Sequence, residues 1–121
     1  MLNNNEMSLT EARHIVDTDI AHKDTAALDY LLADARGRWF LMRLCERCHI
    51  HSTTYPDEDN INRMLVYEGE RRIALNILAN ISIMGERAVE AKQLAEREYT
   101  AALNYHASLL QLGEENEKGD E

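Results

Sequence analysis

One proline in 121 residues most constrains what this chain can fold into. It stands at Pro56, within a polar stretch, and only five glycines accompany it. A sandwich or barrel needs turn residues every ~8–12 positions, and the long unpunctuated runs on either side of Pro56 do not supply them. Apolar residues instead recur at intervals of three and four, the period of an amphipathic helix. The expectation is an all-α fold, a small bundle of three to four helices with a long C-terminal helix or arm.

Local signals place the helices. Ser8 and Glu11 fit a capping box, in which hydroxyl and carboxylate satisfy orphan amides. Leu9, Ala12, Val16 and Ile20 then share one face, which predicts a first helix over about 9–23. Asp24 or Thr25 is the expected cap of a second, carrying Leu28, Leu31, Leu32, Ala35, Trp39, Met42 and Cys45 to about Cys48. Phe40, Leu41 and Leu44 widen its apolar surface, so it should be central. Residues 49–60 read as a loop. A third helix over about 60–84 carries Val66, Ile73, Ile77, Ile81 and Met84, and Gly85 bends or ends it. Residues 86–112 form an alanine-striped helix or arm, either separate from the third or its bent continuation. One domain over 9–112 follows, with a flexible 1–8 and a disordered acidic tail at 113–121, which has no apolar residue to bury.

Charge narrows the partners. Net charge is −9, from 22 acidic and 13 basic residues, which argues against indiscriminate adhesion to DNA or anionic lipid. The acidity is concentrated at the ends, however. Residues 1–35 are net −5 and 113–121 net −4, whereas 36–72 hold seven Arg, no Lys and a net +1. No run approaches the ~20 apolar residues of a membrane span. The start has no basic or apolar export signal, so synthesis in a cytoplasm with reduced thiols is expected.

Three constellations are candidates for chemistry. Cys45-Glu46-Arg47-Cys48-His49 matches the c-type haem attachment pattern, and His51 completes a possible zinc set with Cys45, Cys48 and His49. Four ligands within seven residues, two of them on a helix, would demand an awkward local fold, so small core cysteines followed by a polar loop are the preferred reading, with no cofactor. Arg36, Arg43 and Arg47 share a helix face, with Arg38 roughly 160° away. They suit phosphate or carboxylate, but a nucleic-acid surface also wants exposed aromatics, and Trp39, Phe40 and Tyr67 sit in apolar patterns. Ion pairs within or between subunits are therefore preferred. No phosphate loop, nucleophile elbow or H-E-x-x-H pattern is present, so no enzyme is expected. Asp57-Glu58-Asp59 reads as a helix N-terminus.

From Leu31 to Ile81 the chain resembles a family of small helical proteins of tailed bacteriophages, typified by one from a short-tailed Bordetella phage. Gly37-Arg38, Phe40-Leu41, Leu44, Cys48 and Ile50 carry the resemblance, with Tyr55 in the loop and Glu68-Gly69-Glu70-Arg71 before Ile73 and Leu75. Where the family commonly ends a helix on glycine, this chain has His49. The resemblance implies a virion context: a non-enzymatic structural or assembly protein of a portal, tail or internal DNA-ejection core. Its partners would be other virion proteins and further copies of itself, with nucleic acid a less favoured partner and membrane none. Gly37 and Gly69, costly inside helices, suggest a close crossing, tied by Glu68 and Arg71 to Arg38, with Arg72 as a further partner for Glu68.

Overall fold

The computed structural model describes residues 6–50 and 61–119. Four helices and no strand occupy them: α1 (Leu9–Ala33), α2 (Ala35–Arg47), α3 (Ile61–Ser82) and α4 (Glu86–Gly119). The fold is all-α, as the proline-poor, three-and-four pattern requires.

Helix α1 starts where the cap residues place it, the Ser8 hydroxyl accepting the Glu11 N–H at 3.1 Å. It does not stop near residue 23. Asp24 and Thr25 lie inside it, because no glycine or proline interrupts this stretch and the Asp19–Lys23 pair, 2.8 Å apart at i,i+4, supports the turn before them. The break falls at Asp34 instead, whose backbone is extended at φ −121° and ψ 139°. Its Oδ1 accepts the Arg36 N–H at 2.8 Å, the N-cap bond that starts α2.

This corner requires a glycine. A Cβ on Gly37 would stand 2.7 Å from both the Cα and the carbonyl carbon of Leu31. The first turn of α2 therefore passes directly against the last turn of α1. The close approach expected of Gly37 is present, but its partner is α1. Gly69 has nothing within 4 Å of a built Cβ, so the expected Gly37–Gly69 crossing is not how α2 meets α3.

The question of one bent helix or two after residue 60 is resolved at Gly85, whose φ of +113° ends the connection between α3 and α4. Helix α4 then runs past residue 112 to Gly119, where a disordered tail is expected. Gln, Glu and Lys are good helix formers, Gln111 Nε2 donates to Glu115 Oε1 at 3.4 Å, and Lys118 complements the C-terminal dipole.

The core is built from Leu32, Leu41, Met42, Ile81, Ala88 and Ala95, with Leu28, Leu31, Ile77, Leu78, Met84, Ala91 and Tyr99 against it. Helix α2 packs on all three other helices, the central role expected of the segment around Met42. Alanines 74, 88 and 95 are fully or almost fully buried and let backbones approach closely. Everything in this core lies between residues 28 and 99. Every residue from 13 to 27 and from 103 to 119 is exposed, so α1 begins and α4 ends as arms. The stripe of Leu9, Val16 and Ile20, expected to be buried, is at least half exposed. The buried face of α1 is that of Leu32, roughly 120° around the helix from Ile20.

The two helical glycines and the corner carboxylate can each be tested by substitution. Gly37→Ala should lower stability by about 1–3 kcal/mol, since the obstacle is backbone that cannot move aside. Gly69→Ala should raise stability by about 0.5–1 kcal/mol, both read from urea unfolding midpoints. The Arg36 side chain, and then its N–H, hold the Asp34 carboxyl at about 2, below the ordinary 3.8. A carboxyl depressed on folding stabilises fully above its unfolded value, so this contribution should fade between pH 3.8 and about 2. Asp34→Asn should flatten that limb of the acid unfolding curve.

Candidate functional site

Helix α2 has two faces of opposite character. Leu41, Met42 and Cys45 point into the core. At spacings of four, three and four, Arg36, Phe40, Arg43 and Arg47 share the outward face, with Trp39 beside them. Phe40 is 55% exposed and Trp39 42%, so neither is the core aromatic that its apolar pattern suggests. The Trp39 ring leans on Tyr99 of α4, centroids 5.2 Å apart. Arg36 is held by Asp34 through Nε at 3.1 Å and Nη2 at 3.2 Å. Arg43 directs Nη1 to Tyr99 Oη at 3.3 Å and to Glu46 at 3.4 Å. Arg47 stands exposed in the last turn. Cations and half-exposed aromatics are thus interleaved on one ridge.

Arg38 turns the other way. Its Nε and Nη2 grip Glu98 of α4 at 2.5 and 3.3 Å, and Nη1 donates to the Leu32 carbonyl at 2.9 Å. One guanidinium thus satisfies an end-of-helix carbonyl of α1 and locks α2 to α4. The register tie expected of Arg38 exists, but its acid is Glu98 rather than Glu68. Nothing in the local sequence singles out a partner 60 residues away. The ion pair of Glu68 runs along α3 to Arg71 at 3.9 Å. The Arg71 Nε is buried without a hydrogen-bond partner among the described residues, and Arg72 is exposed.

The Cys-His string is dispersed by the end of α2. Cys45 is buried, and burial pushes its thiol above the ordinary value, which disfavours the thiolate that metals require. Cys48 is the C-cap. His49 follows in the left-handed region at φ +63°, with the bonds His49 N–H to Glu46 and Ile50 N–H to Cys45 at 3.0 and 3.2 Å. That pair of bonds is a Schellman motif, which normally places glycine at the His49 position. The imidazole compensates with tertiary contacts, Nε2 lying 2.9 Å from Glu70 and the ring 4.1 Å from Tyr67 of α3. His49 therefore ties α2 to α3. His51 lies outside the described residues, and among those described no three His, Cys, Asp or Glu side chains are placed to hold a metal ion.

A cleft of about 340 Å³ lies between α2, α3 and α4, lined by Met42, Cys45, Ile50, Leu78 and Tyr99, with the Lys92–Glu96 pair, 3.0 Å apart, on its wall. The outward ridge is the surface with more recognition chemistry. It offers bidentate cations and flat apolar area, suited to an acidic, partly apolar partner.

A family model described as Bbp19-like phage protein matches residues 29–96. No curated protein and no solved structure matches the chain. The matched segment coincides with the packed core, from the end of α1 to the middle of α4, and leaves both arms outside it.

His49→Ala and His49→Gly both delete the imidazole, but only glycine is at ease at positive φ. The alanine variant should therefore be less stable than the glycine variant by about 1 kcal/mol, measured by thermal or urea unfolding.

Proposed function

The chain belongs to the Bbp19-like phage protein family, and from that premise we propose that it is a non-catalytic structural or assembly component of a tailed-phage particle. It works in several copies, as a helical module of the portal, tail or internal DNA-ejection core. One observation carries the multi-copy reading: the core closes within residues 28–99, yet both arms carry large apolar side chains that the described residues leave exposed. Leu103 is 42% exposed, Leu109 48%, Leu110 70% and Leu112 54%. Tyr105, Leu109 and Leu112 share one side of α4 and Leu103 and Leu110 the other, and exposed apolar rows of this kind mark protein contact sites. Among the described residues no helix is long and apolar enough to cross a membrane, so protein surfaces are the favoured cover.

A second reading, a nucleic-acid-contacting packaging or ejection factor, is supported by the exposed Trp39 and Phe40 among Arg36, Arg43 and Arg47. Stacking surfaces between cations are what single strands use. The net charge of −9 weighs against it.

Quantitative mass spectrometry of purified particles of the encoding phage tests the first reading. The protein should be present in several copies per particle, or in assembly intermediates if it is released before maturation. A strictly monomeric protein found in neither would overturn the proposal.

A further inference from the structure

We propose that the outward ridge of α2 is the receptor for the acidic end of α4 from a second copy of this chain. The inference rests on the multi-copy reading above and adds the pair of surfaces that make the contact.

The two faces have matching patterns. On the arm, Leu110, Glu114 and Glu117 share one side of α4 at spacings of four and three. On the ridge, Phe40, Arg43 and Arg47 share one side of α2 at spacings of three and four. Laid parallel, Leu110 meets Phe40, Glu114 meets Arg43 and Glu117 meets Arg47, and both rows span seven residues, about 10 Å. Leu110 is 70% exposed and Phe40 55%, so each supplies apolar area that the monomer leaves in water. Glu115 is occupied on another side by Gln111. Arg43 commits only Nη1 within the chain, leaving Nη2 for a carboxylate.

The arm cannot serve its own ridge. Helix α2 runs antiparallel to α4, since Arg38 meets Glu98 while Cys45 shares a cleft with Lys92. The end of α4 therefore points past the Asp34 corner and away from Arg47. From Tyr99, which touches Trp39 and Arg43, Glu114 and Glu117 lie about 22 and 27 Å further along a continuous helix. The acids and the arginines that complement them can meet only between molecules. Because arm and ridge are different surfaces, the contact is heterologous, and repetition closes a ring or extends a filament.

Sedimentation velocity of the full chain with a charge swap tests this. One variant carries Glu114→Lys and Glu117→Lys, the other Arg43→Glu and Arg47→Glu, with Arg47→Glu alone as a milder form that keeps Arg43 on Tyr99. Helical content by circular dichroism checks folding. The wild type should self-associate, more weakly as salt rises. Each variant alone should associate about tenfold more weakly or worse, and an equimolar mixture should recover assembly, because each then meets its complement. Wild-type association that neither variant alters would overturn the arm-to-ridge pairing while leaving the multi-copy reading intact. A wild type monomeric at all concentrations overturns both. If that monomer binds a labelled single-stranded oligonucleotide and Arg43→Glu with Arg47→Glu abolishes it, the ridge belongs to nucleic acid.

Discussion

The corner at Asp34 governs the rest of the molecule. A single extended residue separates two helices, and the turn is tight enough that Gly37 has the backbone of Leu31 where a side chain would begin. With the corner set this way, Arg38 emerges one residue later beside the last turn of α1. There it takes the Leu32 carbonyl with one nitrogen and Glu98 with two others. One turn of sequence, Asp34 to Arg38, thus sets the angle between α1 and α2, caps α2, satisfies a carbonyl of α1 and fixes α2 against α4. It also decides which face of α2 looks outward, and hence that Phe40 and three arginines form a ridge.

The core that this corner organises is thin. Alanines occupy the closest contacts of α3 and α4, which brings backbones together but removes little apolar area per residue. A small domain of this kind is marginally stable by itself, and any partner that binds the folded form adds stability by mass action. Residues 29–96, the segment shared with the family, are the ones that complete this core. The arms beyond it make no core contact, and their apolar residues stay in water. Part of the hydrophobic surface of this chain is thus left uncovered by the described residues.

The all-α character is legible in the sequence because it depends on local facts: the scarcity of proline, the three-and-four period and the cap at Ser8. The corner was harder to read. Asp24 and Thr25, the expected caps, are of the same residue types as a true cap such as Asp34, and the packing of Gly37 on Leu31 marks the break. The orientation of α1 is not legible from its period, because Leu9, Val16 and Ile20 form a regular apolar stripe and an exposed stripe has the same period as a buried one. Arg38 pairs with Glu98 rather than with the expected Glu68, because a pair 60 residues apart leaves no local trace. At His49, where the family commonly has glycine, the helix ends in the left-handed region, a conformation the histidine itself does not signal. The Glu70 and Tyr67 contacts that offset its strain required the fold.

The charge arithmetic changes meaning once it is placed on this geometry. A net −9 appears to be a uniform acidic coat, yet the structure separates it into an acidic α1 arm, an acidic end of α4 and an arginine ridge between them on α2. Opposite charges on one chain ordinarily neutralise each other by folding together. Here α4 is continuous and antiparallel to α2, so its acidic end is carried away from the ridge. Asp34 and Glu46 pair locally with Arg36 and Arg43, but the acids at the end of α4 lie more than a Debye length from the ridge and gain little from it within one molecule. A helix stiff enough to hold its acids away from its own arginines is also stiff enough to present them to a neighbour's, so the feature that prevents self-pairing is the one on which the proposed intermolecular pairing would depend.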